Sequence, residues 1–95
     1  MARKPIHPGE ILADELAELG MNAGALARAL KVPANRISQI IAGKRSISAD
    51  TALRLGRWFG TGPGLWLNLQ QAYDLDLVRL ESGSEIARIK PRHAA

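Results

Sequence analysis

The spacing of apolar and polar residues along the chain predicts five helices. Apolar residues recur every three or four positions in each segment, and the strict alternation of a half-buried strand is absent until the last residues. Asn22 and Ser48 are suitable N-caps. Gly20 and Gly60 suit the left-handed cap that ends a helix. The fold class that follows is all-α, with helices over about residues 8–19, 23–30, 33–42, 49–59 and 63–81.

The composition indicates one domain and excludes several kinds of site. With 95 residues, 46% of them hydrophobic, the chain is long enough for one core. It has no Cys, which excludes thiolate metal sites and cysteine nucleophiles and agrees with a reducing cytoplasm. His7 and His93 are far apart and no glycine-rich phosphate loop occurs, so we expect no catalytic residue, no metal and no cofactor. No apolar run reaches the roughly 18 residues of a membrane span, so we expect a cytoplasmic protein without a membrane partner.

Basic charge is concentrated in the middle of the chain. The net charge of +4 is modest, but no acidic residue occurs between Glu18 and Asp50. The basic residues of this stretch are Arg28, Lys31, Arg36, Lys44 and Arg45. Such a segment is typical of a surface that binds phosphates, and an ordinary solvated surface is the alternative.

The second and third predicted helices have the spacing of a helix-turn-helix. Its helices cross steeply, so a small residue is needed where their backbones approach, and Ala27 fits that place. Apolar residues stand at the offsets from Ala27 that fill the angle between the helices: Leu26, Leu30, Val32, Ile37 and Ile40. Lys31 departs from the pattern, because it stands where a glycine with positive φ is common, at a cost of roughly 1 kcal/mol.

The outward face of the third helix is predicted to bind DNA in the major groove. Asn and Gln can bond to adenine and Arg to guanine, so we expect Asn35, Arg36 and Gln39 to contact bases, with a phosphate contact as the alternative for Arg36. Contacts to the DNA backbone are predicted for Lys31, Ser38, Lys44 and Arg45. The alternative for the whole set is the solvated face of an amphipathic helix.

The fifth helix carries more apolar surface than one face of a small monomer needs. A second apolar face usually marks an interface. The residues predicted to form a homodimer interface are Leu65, Trp66, Leu69, Tyr73 and Leu77. Two-fold pairing would place the third helices of two chains about 34 Å apart, one DNA turn, so the pair would suit a palindromic site. The alternative is that the tail folds back onto the fifth helix and that Ile86 and Ile89 cover its additional apolar surface.

The domain organisation that follows is a single helix-turn-helix domain over residues 1–95. Its DNA-binding unit spans about residues 22–45, and its dimerisation helix spans about residues 63–81. The remaining tail, residues 82–95, is a short strand, a docked arm or a disordered segment, and the sequence leaves the three open.

Four runs of residues resemble the Xre-type helix-turn-helix proteins, and among them the HigA-type antitoxins of bacterial toxin–antitoxin operons. They are HPGEIL at 7–12, LARAL with VP at 26–33, RIS with IIAGKR at 36–45, and SADTALRL, WFG, WLNLQ and YDL within 48–75. In combination they are specific and cover roughly residues 5–78.

The resemblance implies a five-helix, lambda-repressor-like homodimer that represses its own operon by binding double-stranded operator DNA. It also implies a cognate RelE-like toxin that cuts messenger RNA and that this protein neutralises. Relatives often carry Gln where this chain has Ala23, which removes one expected phosphate contact. A stand-alone Xre-type repressor without a toxin partner, and a module that binds only protein, are the alternative functions.

Overall fold

Five helices make up the part of the chain that the computed structural model describes, residues 4–92. In chain order they are α1 (Pro8–Leu19), α2 (Ala23–Leu30), α3 (Ala34–Ile41), α4 (Ala49–Phe59) and α5 (Gly64–Ala87). No strand occurs within residues 4–92, and the predicted all-α class is confirmed. His93 and the last two residues of the predicted tail lie outside the described residues.

The starts of α1, α2 and α4 are fixed by local hydrogen bonds from side-chain caps. At α1, Nδ1 of His7 accepts from the N–H of Gly9 at 2.9 Å, and the carboxylate of Glu10 accepts from the N–H of His7 at 3.2 Å. The side chains of Asn22 and Ser48 each accept the N–H three residues further on, so both predicted N-caps are confirmed. These bonds satisfy N–H groups that have no partner inside their helix.

The core lies where α1 to α4 meet the first turns of α5. Its apolar members are at most 5% exposed: Leu12, Leu16, Leu26, Ala27, Leu30, Ile37, Ile40, Ile47, Ala52, Leu55 and Trp66. α1 approaches α3 closely at Gly9, where an added Cβ would lie 1.9 Å from the carbonyl oxygen of Ile40. A larger residue at Gly9 would push the two helices apart, so the start of α1 sets the position of α3.

α5 extends beyond its predicted end. The predicted end near residue 81 is wrong, because the helix continues to Ala87 and includes residues 82–87 of the predicted tail. Gly83 costs an exposed helix about 1 kcal/mol relative to Ala, and serine costs less. That is too little to stop a helix whose preceding turns are already formed. Ile86 and Ile89 are 47% and 70% exposed, so they do not cover the apolar surface of α5.

The molecule is elongated along α5. Its principal extents are 53 × 21 × 21 Å, and a helix of 24 residues has a length of about 36 Å. From residue 78 to residue 87 no side chain of α5 is buried. None of the helices within residues 4–92 is both long and apolar enough to cross a membrane.

Candidate nucleic-acid interface

α2 and α3 form a helix-turn-helix with the packing that the sequence predicts. Ala27 is 1% exposed and lies where the two helices approach each other. The apolar residues at the predicted offsets lie in the core or pack against it: Leu26, Leu30, Val32, Ile37 and Ile40. This packing holds α3 with its polar side toward the solvent.

The turn between the two helices is stabilised from α4. Lys31 has φ 60° and ψ 46°, the left-handed conformation that Gly20 and Gly60 also adopt where they end α1 and α4. Nη1 of Arg54 donates to the carbonyl oxygens of Leu30 and Lys31 at 2.9 and 3.4 Å. A cation is favourable at the C-terminus of a helix, so Arg54 offsets part of the cost of a non-glycine residue in this turn.

The predicted DNA-contacting residues of α3 differ in exposure, and Arg36 and Gln39 are the less exposed ones. Asn35 and Ser38 are exposed and Gln39 is half-buried. Ser38 and Gln39 stand three and four positions after Asn35 and therefore lie on the same side of the helix as Asn35. Three further predicted contacts are exposed in the turns before and after α3: Lys31, Lys44 and Arg45. Their charge and exposure suit contacts with phosphates.

Arg36 differs because its guanidinium forms an ion pair with Asp50 in the first turn of α4. Nη1 of Arg36 donates to Oδ2 of Asp50, and Nε of Arg54 donates to the same oxygen at 3.0 Å. These two bonds lower the pKa of Asp50 below its ordinary value, and the bond from Arg36 has the larger effect. From the sequence, Asp50 is only an acid placed well at a helix N-terminus. The one further signal is that it is the first acidic residue after the cationic stretch.

Gln70 is a site residue that the sequence prediction missed. It is 5% exposed, and its Oε1 accepts from the N–H of Ile47 at 2.8 Å. Its Nε2 donates to Oδ1 of Asp74 at 3.0 Å. The loop that carries Lys44 and Arg45 is therefore bonded to α5 through Ile47, just before the start of α4. The only sequence signal is that Gln70 lies one helical turn after Trp66 in the apolar stripe of the fifth helix.

Trp66 belongs to the core and not to the predicted dimer surface. It is 1% exposed, and the centre of its ring lies 5.5 Å from that of Phe59 at the end of α4. A side chain enclosed by its own chain cannot contact a partner, so this part of the interface prediction is wrong. The physical reason is that the first turn of α5 packs over one end of the core. The helical spacing of apolar residues in the sequence does not show which of them this packing buries.

The other predicted interface residues are less enclosed, and further apolar residues of α5 are exposed. Leu65 is 45% exposed, whereas three of the predicted residues are half-buried: Leu69, Tyr73 and Leu77. Additional apolar side chains on α5 are between 39% and 54% exposed: Leu67, Leu75, Val78 and Leu80. α5 therefore presents an extensive apolar surface that no other part of residues 4–92 covers.

Comparison with known proteins identifies the family of this fold. The helix-turn-helix family model matches residues 12–66, which is more than half of the chain. The chain belongs to the Xre-type helix-turn-helix family. The predicted resemblance to its HigA-type antitoxins is confirmed by similar proteins, both in sequence and in structure.

Three of these similar proteins cover nearly all of this helix-turn-helix chain. A HigA-family addiction module antidote protein from Coxiella burnetii is 53% identical with a TM-score of 0.91, over 94% of this chain and 99% of its own. The Pseudomonas aeruginosa antitoxin HigA, solved with the higBA promoter, is 48% identical with a TM-score of 0.89, over 95% and 100%. Antitoxin HigA-1 from Vibrio cholerae is 37% identical, over 94% of this chain and 85% of its own. The two structural matches extend the likeness beyond residue 66, so α5 is a shared part of this fold.

Proposed function

We propose that this chain is a sequence-specific DNA-binding antitoxin. In this proposal it represses its own toxin–antitoxin operon and neutralises a cognate RelE-like toxin that cleaves messenger RNA. The observation that carries the proposal is a helix-turn-helix with exposed polar and basic residues, in a chain 48% identical to an antitoxin solved with its promoter. The protein works where its operator DNA is, in the cytoplasm, and needs no catalytic residue, metal or cofactor.

Base contacts in this proposal come from the solvent-facing side of α3, the recognition helix. Asn35 and Gln39 carry amides that can donate to and accept from the edge of an adenine. Ser38 and the exposed cations of the neighbouring turns contact phosphates, which position the helix without selecting a sequence. Their attraction for DNA depends on salt, because each phosphate contact releases bound counterions.

Dimerisation in this proposal uses apolar residues of α5 that the rest of the described chain leaves uncovered. A small monomer rarely leaves this many large apolar side chains in water. The interface includes Leu65, Leu69, Tyr73 and Leu77 of the original prediction, without Trp66, together with the exposed Leu75 and Val78. In such a dimer, two-fold symmetry would place two recognition helices about one DNA turn apart, as binding to a palindromic site requires.

The DNA-binding part is tested by selecting binding sites from a pool of random duplexes. We expect a palindromic sequence, bound at physiological salt at least about 10³-fold more tightly than a scrambled duplex. Failure to enrich any sequence at low salt would contradict operator binding and favour a module that binds only protein.

The antitoxin part is tested by co-expression with the toxin-like reading frame beside the gene of this protein. We expect the wild-type chain to restore growth that the toxin alone stops. Operator binding without rescue would leave the stand-alone repressor as the function.

A further inference from the structure

The carboxylate of Asp50 connects three parts of the helix-turn-helix. Its Oδ2 accepts hydrogen bonds from Arg36 on α3 and from Arg54 on α4, the latter at 3.0 Å. Arg54 in turn donates to the carbonyl oxygen of Leu30, the last residue of α2, at 2.9 Å. One carboxylate thus links the recognition helix to the helices on either side of it in the chain.

The surroundings of Arg36 show why it needs this carboxylate. Arg36 is the third residue of α3, a helix with no acidic residue in its first turn and no side-chain cap. A cation there is unfavourable, because the N-terminal end of a helix is electropositive. The side chain of Arg36 is 27% exposed and that of Asp50 is 54% exposed, so the guanidinium is drawn against α4. Two arginines share the carboxylate, and such a network holds its geometry better than an isolated surface pair.

We propose that Asp50 determines the sequence specificity of the DNA interface; this inference rests on the operator binding proposed above. The carboxylate holds Arg36 against α4, so Arg36 positions the recognition helix while Asn35 and Gln39 contact the bases. Without that charge, the guanidinium is released as an additional cation that binds the phosphates of any sequence. Asp50 therefore limits non-specific binding, and the base contact predicted for Arg36 is replaced by a positioning role.

The test compares four variants with the wild-type chain: Asp50→Asn, Arg36→Ala, the double variant, and Asp14→Asn as a control. Asp14 is an exposed carboxylate on α1, outside the helix-turn-helix segment. Fluorescence anisotropy at several salt concentrations measures affinity for two duplexes, the selected operator and a random sequence. Melting followed by circular dichroism shows that each variant is folded at the assay temperature.

We expect Asp50→Asn to bind the random duplex more tightly and with a steeper salt dependence. One additional phosphate contact per chain steepens the slope of log K against log salt by about 0.9. If the variant and the wild type bind equally at 1 M salt, this slope makes the variant bind about five-fold more tightly at 0.15 M. The ratio of operator to random affinity should fall. Asp14→Asn should leave the salt slope and this ratio close to those of the wild type.

The double variant separates release of Arg36 from simple loss of a negative charge. We expect Arg36→Ala to abolish the gain from Asp50→Asn, because the released guanidinium is then absent. A gain that persists in the double variant, or an unchanged slope in Asp50→Asn, would overturn the inference.

Arg36→Ala alone gives a test that does not depend on the folding of Asp50→Asn. We expect its salt slope on random DNA to match the wild type, since a paired guanidinium releases no counterion. A slope smaller by about 0.9 would show that Arg36 already contacts a phosphate and would overturn the inference. If the wild-type chain binds neither duplex, the proposed operator binding fails, which is a distinct outcome.

Discussion

Replacing Gln70 with leucine tests whether α5 holds the loop that precedes α4. The change removes the acceptor of the Ile47 N–H, a buried bond of 2.8 Å, and the donor to Asp74. Leucine is close to glutamine in size, so the main effect is a buried N–H without a partner. That loss costs about 1–3 kcal/mol, and we expect the free energy of unfolding to fall by about 2 kcal/mol.

The expected change in thermal stability is large enough to measure easily. For a domain of this size each kcal/mol lowers Tm by about 4–8 °C, so Gln70→Leu should melt about 8–16 °C below the wild type. Far-UV circular dichroism at one fixed protein concentration is the suitable assay, because the proposed dimerisation would make Tm depend on concentration. Operator affinity should also fall, since the loop that carries Lys44 and Arg45 loses its attachment.

Gln71 provides a matched control on the same helix. It is exposed, so Gln71→Leu should change stability by no more than about 0.5 kcal/mol. Gln70→Glu keeps an acceptor for Ile47 but places a second carboxylate beside Asp74, and its Tm should fall between those of Gln70→Leu and the wild type. If Gln70→Leu and Gln71→Leu melt within about 2 °C of each other, the buried hydrogen bond does not have the stabilising role assigned to it.

Three further predictions concern the DNA contacts, the dimer and the pH dependence of stability. Gln39→Ala should lose about 1–3 kcal/mol of discrimination at one base pair in competition gel shifts. Gln71→Ala should lose none, and an unchanged preference at every position would remove Gln39 from the base contacts. Val78→Asp places a charge among the exposed apolar residues of α5, and we expect the variant to sediment as a monomer at micromolar concentration. An intact dimer would locate the interface elsewhere. Because its pKa is lowered, the Asp50 carboxylate stabilises the fold above its ordinary pKa, and this stabilisation is lost as pH falls through the lowered value. The Tm advantage of the wild type over Asp50→Asn should therefore be full at neutral pH and vanish in strong acid, and a gap independent of pH would contradict the ion pairs.

The sequence by itself determined those features that depend on neighbouring residues. The caps at Asn22 and Ser48 form within three residues, and the left-handed conformation of Lys31 follows from its place in the turn. The spacing around Ala27 identified the helix-turn-helix, because a fixed helical period converts sequence offsets into faces. These interactions are short in range, and the residue types that satisfy them are few.

Only the tertiary structure decided which side chains meet across the fold. The bond from Ile47 to Gln70 joins residues 23 positions apart, and the pair of Arg36 and Asp50 spans 14 positions. Helical periodicity predicts that a residue faces inward or outward but does not choose its partner, so a buried Trp66 and an interface tryptophan have the same pattern. The prediction from helix propensity placed the end of α5 too early for a related reason. A propensity of at most about 1 kcal/mol per residue is smaller than the cooperative stabilisation of a helix that is already formed.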